Sequence, residues 1–201
     1  MQNAFRKVSV FVWLCVLAVI IPLQNVQAKT AEAASSRPAD NQLCIKKACA
    51  PLAREIGGTP VELRGLEKFS YWGFDLYTAA FYAPSGADAL SDAPKSLVLD
   101  YLRKIRNDQI IKAGDHNLRK NPGNDLAALG PRLEALNSAY QSVEKGDRYE
   151  LLYEPGKGTS LLFNGTPLVT VPGADFQKAY FGIWLSEYPI NAKLRDKLAQ
   201  K

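Results

Sequence analysis

Residues 74–83, FDLYTAAFYA, constrain this chain more than any other stretch. Aromatic and β-branched side chains dominate them, Gly73 and Pro84 bound them, and the pattern predicts a strand. Side chains of a strand alternate between its faces, and here both sets are apolar. Phe74, Leu76, Thr78, Ala80 and Tyr82 fall on one face, and Tyr77, Ala79 and Phe81 on the other. Such a strand has no face to give to water, so its sheet must be covered on both sides.

The neighbouring segments extend that sheet. Lys95 to about Lys104 predicts a second strand, with Leu97, Leu99, Tyr101 and Arg103 on one face and Val98, Asp100 and Leu102 on the other. Asn107-Asp108 marks a helix start, followed by Ile110, Ile111 and Leu118 and stopped by Pro122-Gly123. A further helix is predicted from near Pro131, with Leu133, Leu136, Tyr140 and Val143 on one stripe. Three closely spaced strands come next: Arg148 to Tyr153, Thr159 to Phe163 and Thr166 to Val171. Pro155-Gly156-Lys157-Gly158 joins the first two and Asn164-Gly165 the second two. A helix with Phe176, Ala179, Tyr180, Ile183 and Trp184 on its buried face comes last, continued after Pro189 by Ile190, Leu194 and Leu198. The fold class is α+β, a large antiparallel sheet packed against a layer of helices.

The chain's ends carry a different signal. Arg6 and Lys7 precede an apolar run from Val8 to Leu23, and Val26-Gln27-Ala28 closes it. This is the layout of a secretory signal peptide over 1–28, with cleavage expected after Ala28; an uncleaved anchor is the rival reading. Residues 29–41 read as a flexible leader and 42–201 as one domain. Removing 1–28 takes away two cations and no acid, so the formal charge falls from +5 to +3. With no basic cluster, that argues against nucleic acid as a partner. No later stretch is long and apolar enough to span a membrane. Cys15 leaves with the leader, and Cys44 and Cys49 remain as an even pair in an exported chain, which predicts a structural disulfide.

Motifs for chemistry are sparse. Pro155-Gly156-Lys157-Gly158-Thr159-Ser160 lacks the upstream glycine of a phosphate-binding loop, and a strand succeeds it where a helix should, so it reads as a hairpin turn. His116 has no nucleophile motif to serve and reads as a helix-surface residue. One histidine and three cysteines leave no framework for a metal, and no cofactor is implied. Arg64, Tyr77, Tyr101 and Arg103 are the candidates for the polar end of a ligand site, because a guanidinium fork and a phenol both donate to an anionic oxygen. The alternative is that the aromatics are core and the arginines snorkel to solvent.

Residues 154–198, EPGKGTSLLFNGTPLVTVPGADFQKAYFGIWLSEYPINAKLRDKL, are similar to bacterial members of the chalcone isomerase-like family. LRGLEKF (63–69), FDLYTAAFYA (74–83) and PKSLVLDYLRKI (94–105) fit it in the same order. The resemblance implies a large antiparallel sheet and a helical layer enclosing an apolar cleft. The family's catalytic arginine falls on Arg64, its strand threonine on Tyr77 and its late-helix hydroxyl on Ile183. Its helix tyrosine has no counterpart near Ile110, and Asn117 stands where an ungapped match places the asparagine. An oxyanion site needs several donors around it. Loss of most hydroxyls therefore favours the family's non-catalytic members, which bind fatty acids. In that reading Arg64 and Tyr77 grip the carboxylate of a small lipophilic ligand, and Phe81, Tyr180, Ile183 and Trp184 form the apolar wall. An isomerase of chalcone type acting on an aromatic or enone substrate, with Arg64 as oxyanion stabiliser, and an assembly partner with a filled cleft are the two alternatives.

Overall fold

The computed structural model describes residues 41–45 and 48–199; the segment read as a signal peptide and the leader up to residue 40 lie outside these. Among the described residues the strands are β1 (Gln42–Ile45), β2 (Ala48–Pro51), β3 (Ala53–Ile56), β4 (Thr59–Tyr71), β5 (Phe74–Ala83), β6 (Lys95–Tyr101), β7 (Arg148–Glu154), β8 (Gly158–Phe163) and β9 (Thr166–Val171). The helices are α1 (Asn107–Lys120), α2 (Leu126–Ala139), α3 (Ala174–Leu185) and α4 (Ala192–Leu198). Strands β3 to β9 form a seven-stranded sheet in chain order, each antiparallel to the next. None of the described helices is long and apolar enough to cross a membrane.

Tight turns set this order. Gly57-Gly58, Trp72-Gly73 and Asn164-Gly165 have positive φ at both positions, the geometry of the two-residue turn that matches strand twist. The Asn164-Gly165 hairpin is where the sequence puts it, and Pro155-Gly156-Lys157 leads straight into β8, as a turn and not a phosphate loop.

The sheet is covered on both faces, as the pattern of β5 requires. Tyr77, Ala79 and Phe81 join a core with Leu97, Leu99, Tyr149 and the helices, including Leu118, Leu136, Phe181 and Leu198. Ala80 and Tyr82 point the other way, into a smaller core with Val61, Leu66 and Val98, Ile56 of β3 and Ala50 of β2. Cys44 and Cys49 face each other across the β1–β2 hairpin and are joined by a disulfide. Neither this hairpin nor β3 is foreseen from the sequence. Both are built of four-residue strands too short to show a period.

Two irregularities interrupt the β4–β5 ladder. Leu63 pairs with Tyr82 and Gly65 with Phe81, so Arg64 is the extra residue of a bulge. This shift lets Val61, Leu63 and Leu66 share one face. Gly65 itself is required by closeness, because a Cβ there would land on the Lys197 carbonyl oxygen of α4. The second shift leaves Leu76 unpaired with β4, and its carbonyl accepts instead from Leu102 N at 2.9 Å.

Three boundaries differ from expectation. Helix α2 ends at Ala139, so Tyr140 and Val143 lie beyond it and not on its stripe. Strand β6 ends at Tyr101, three residues early, because the chain there turns to pair Ile105 with Val143. Helix α2 starts at Leu126, not near Pro131. Asp125 caps it by accepting from Ala127 N and Ala128 N, both at 3.1 Å, and Pro131 lies inside the helix.

Lys95 is fully buried in the main core. Its ammonium donates to Ser91 O and, at 3.1 Å, to Gln177 Oε1, and it lies over the Tyr153 ring at 5.2 Å. Burial is the main cause that lowers its pKa to about 8, partly opposed by Asp92 and Asp88.

The buried lysine and the disulfide each have a measurable effect on stability. The unfolded chain holds a proton on Lys95 up to about 10.5 whereas the folded one releases it near 8, so stability rises with pH between these values. Urea titrations from pH 8 to 10 should show that rise, and Lys95→Met should flatten it. The Cys44→Ser/Cys49→Ser protein should lose about 2 kcal/mol of stability, the chain-entropy value for so short a loop, in the same titration at fixed pH.

Candidate ligand-binding cleft

Between the helix-covered face of β4–β6 and helices α1 and α3 lies an apolar cleft of about 420 Å³. That volume lies within the roughly 300–1,000 Å³ of small-molecule sites. Phe69, Leu76, Tyr77, Leu99 and Tyr101 come from the sheet and Ile110 from α1; Tyr140 comes just after α2, and Tyr180, Ile183 and Trp184 belong to α3. The two-residue period of β6 places Leu99 and Tyr101 inside. The same period, continued past the strand's end, brings Arg103 to the rim beside Lys104. A larger depression of about 490 Å³ between α1 and α2 is more open and is lined by Asp115, Arg119, Glu134 and Asn137 among others.

Besides the exposed Tyr71, four buried phenols give the cleft its polarity. Trp184 Nε1–H donates to Tyr77 Oη at 3.0 Å, and the Tyr140 and Tyr180 hydroxyls are 2.9 Å apart. The Tyr101 ring meets Tyr77 and Tyr149 edge-on, with centroids 5.8 and 6.1 Å apart. Its hydroxyl makes no hydrogen bond to a described residue. Burial pushes all four phenols well above the usual tyrosine range; for Tyr77 the Trp184 hydrogen bond opposes that rise, and for Tyr101 the neighbouring tyrosines reinforce it. Each is therefore a neutral donor at physiological pH.

The rim supplies the charge. The Arg103 guanidinium lies over the Phe74 ring, 4.7 Å from its centroid, and has no carboxylate partner among the described residues. Lys104, beside it, is bridged to Glu144. Among the described lining residues there is no Asp, Glu, His or Cys.

The structure brings together Tyr77, Tyr180, Ile183 and Trp184 of the residues singled out in the sequence, and with them Tyr101 and Arg103. It places Arg64 and Phe81 elsewhere. Arg64 sits at the bulge of β4, and its Nη1 donates to Pro84 O at 3.0 Å and Ala87 O at 3.3 Å, at the far end of β5 from Tyr77. Phe81 is 1% exposed, packed in the main core and not in the cleft wall. Asn117 is buried too, but it donates to Ala113 O within α1. His116 is exposed on that helix. Tyr140 and Ile190 are lining residues that sequence reasoning gives only to packing stripes. No local signal separates a stripe that faces a neighbour from one that faces a cleft.

Spectrophotometric titration should find Tyr77, Tyr101, Tyr140 and Tyr180 un-ionised well past the usual range, and Tyr77→Phe, which leaves the buried Trp184 N–H unpaired, should cost about 1–3 kcal/mol by urea unfolding.

The sequence pattern of the chalcone isomerase-like family matches residues 45–199. No curated protein matches the chain. Among solved structures, a fatty-acid binding protein of Arabidopsis thaliana superposes with a TM-score of 0.61 at 16% identity, over 79% of this chain and 95% of its own. At that identity the likeness is one of fold.

Proposed function

The chain belongs to the chalcone isomerase-like family, and we propose that it is a non-catalytic binder of a small lipophilic acid such as a fatty acid. One observation carries this reading: an apolar cleft whose rim holds a guanidinium without a carboxylate partner among the described residues, and whose lining also includes the neutral Tyr101 phenol. An alkyl or aryl tail gains from leaving water for the aromatic wall, and a carboxylate gains from a planar fork and a phenol. Tyr77, Tyr180, Ile183 and Trp184 serve as that wall. Arg103 takes the anion-anchoring role that family resemblance assigns to Arg64, whose contacts brace residues 84–87. The fatty-acid binding of the Arabidopsis thaliana protein, which has the same fold, supports this choice of ligand class.

Two features support a binder over an isomerase. No carboxylate, imidazole or thiol lines the cleft among the described residues, so the usual general bases are missing from that lining. Arg64, to which the resemblance assigns the family's oxyanion arginine, is not in the lining. The space itself speaks against a cleft filled by side chains. We also read the chain as exported to a periplasmic or equivalent space, on the strength of the Cys44–Cys49 disulfide and the leader-like first 28 residues.

Titration with a fluorescent fatty acid tests the assignment. Arg103→Gln should weaken binding about tenfold, the scale of one charge-assisted hydrogen bond at a half-wet site. Arg64→Gln should leave it within about twofold. The reverse order would return the anchor to Arg64. Turnover of a chalcone above its spontaneous rate would replace the binder reading by the enzymatic one.

A further inference from the structure

The β4–β5 turn is built in a way that the fold does not need. Trp72 has a φ of 52°, a left-handed conformation that costs a bulky side chain and suits glycine or asparagine. It is also 83% exposed, with Tyr71 and Phe74 beside it at 61% and 59%. Tyr71 and Trp72 rings are 6.3 Å apart, so the tip is a contiguous aromatic patch rather than scattered apolar residues. A strained backbone that projects an indole into water points to a role outside the fold.

The patch adjoins the cleft. Tyr71 lines it, and Phe74 lies under Arg103 at its rim. The charges framing this mouth lean positive. Asp75 pairs with Lys68, Glu144 with Lys104, and Asp108 with both Arg106 and Lys112, and of these cations and Arg103 it is Arg103 that has no carboxylate partner among the described residues. Tryptophan and tyrosine with an apolar body and one polar atom, flanked by arginine and lysine, are the residues that settle at the headgroup level of a bilayer. Basic groups there gain further from anionic lipid.

We propose that the β4–β5 tip is a docking surface for an anionic membrane, inserting Trp72, Tyr71 and Phe74 among the headgroups with the cleft mouth turned toward the lipid. The surface extends the binder reading, since a lipophilic acid would then move between bilayer and cleft without crossing bulk water, but it is tested apart from it.

Full-length protein carrying Trp13→Phe leaves Trp72 as the exposed indole beside the buried Trp184. It is mixed with vesicles of phosphatidylcholine, with and without phosphatidylglycerol, and with vesicles whose acyl chains are brominated. The indole reports its own depth, whatever other part of the chain meets lipid. Trp72 emission should shift to the blue and be quenched by brominated lipid, more so with phosphatidylglycerol and less so at high salt. Trp72→Asn, which suits the turn's left-handed geometry, should abolish both changes and leave fatty-acid affinity in solution unaltered. Emission that stays in the aqueous range with every vesicle overturns the proposal. A blue shift without lipid that grows with protein concentration overturns it too, in favour of contact with a second copy. Insertion of Trp72 with no fatty-acid binding would keep the surface and remove the ligand reading; fatty-acid binding with Trp72 in water would do the opposite.

Discussion

The burial of β5 on both faces, from Tyr77 to Ala83, is the constraint on which the other parts of this fold depend. A two-layer arrangement of sheet and helices leaves Thr78, Ala80 and Tyr82 in water. The β1–β2 hairpin, β3 and the bulge at Arg64 are the means by which the chain closes that second face. On the first face, Gly65 lets α4 approach the sheet to backbone distance, and Leu194 and Leu198 then complete the core beneath α3. The cleft exists because this closure is incomplete between β6, α1 and α3. There, aromatic rings meet at edges and tilts rather than filling space.

The same two-sidedness carries costs. Thr78 and Thr159 keep buried hydroxyls that find no partner among the described residues, and Lys95 holds an ammonium inside the core. Lys95 is tolerated because Gln177, the Ser91 carbonyl and the Tyr153 ring replace its water. The cleft phenols are a milder case. As neutral donors they add polarity to an apolar wall without adding charge, so the charge in the site is confined to its rim.

Sequence reading goes furthest where the physics is local. The limits of β5 and β9 come from their flanking Gly and Pro residues and the Asn-Gly pair, and the helix-facing stripe of α3 comes from its period. Asp125 is a stronger helix start than Pro131, and overlooking it displaces α2 by five residues. The site is legible in half. The alternation that puts Tyr101 and Arg103 on one face is right about their company. Arg64, by contrast, is chosen on a matched motif. A motif does not show that a bulge breaks the alternation at that residue and that neighbouring carbonyls take up its donors. Bulges, and which packing stripe borders a void, depend on contacts between segments far apart in the chain.

Along β5 the odd-numbered residues 77, 79 and 81 belong to the core that borders the cleft, and the even-numbered 80 and 82 to the core beneath the disulfide hairpin. One strand thus writes two texts on alternate letters. Substitutions at 77 alter the cleft wall and those at 79 and 81 the core behind it, while those at even positions alter how firmly the hairpin is held. The cleft-facing side of β5 can therefore change without altering the side that holds the hairpin, provided insertions stay out of this strand. A single added residue would exchange the two texts and turn Tyr77 away from the cleft.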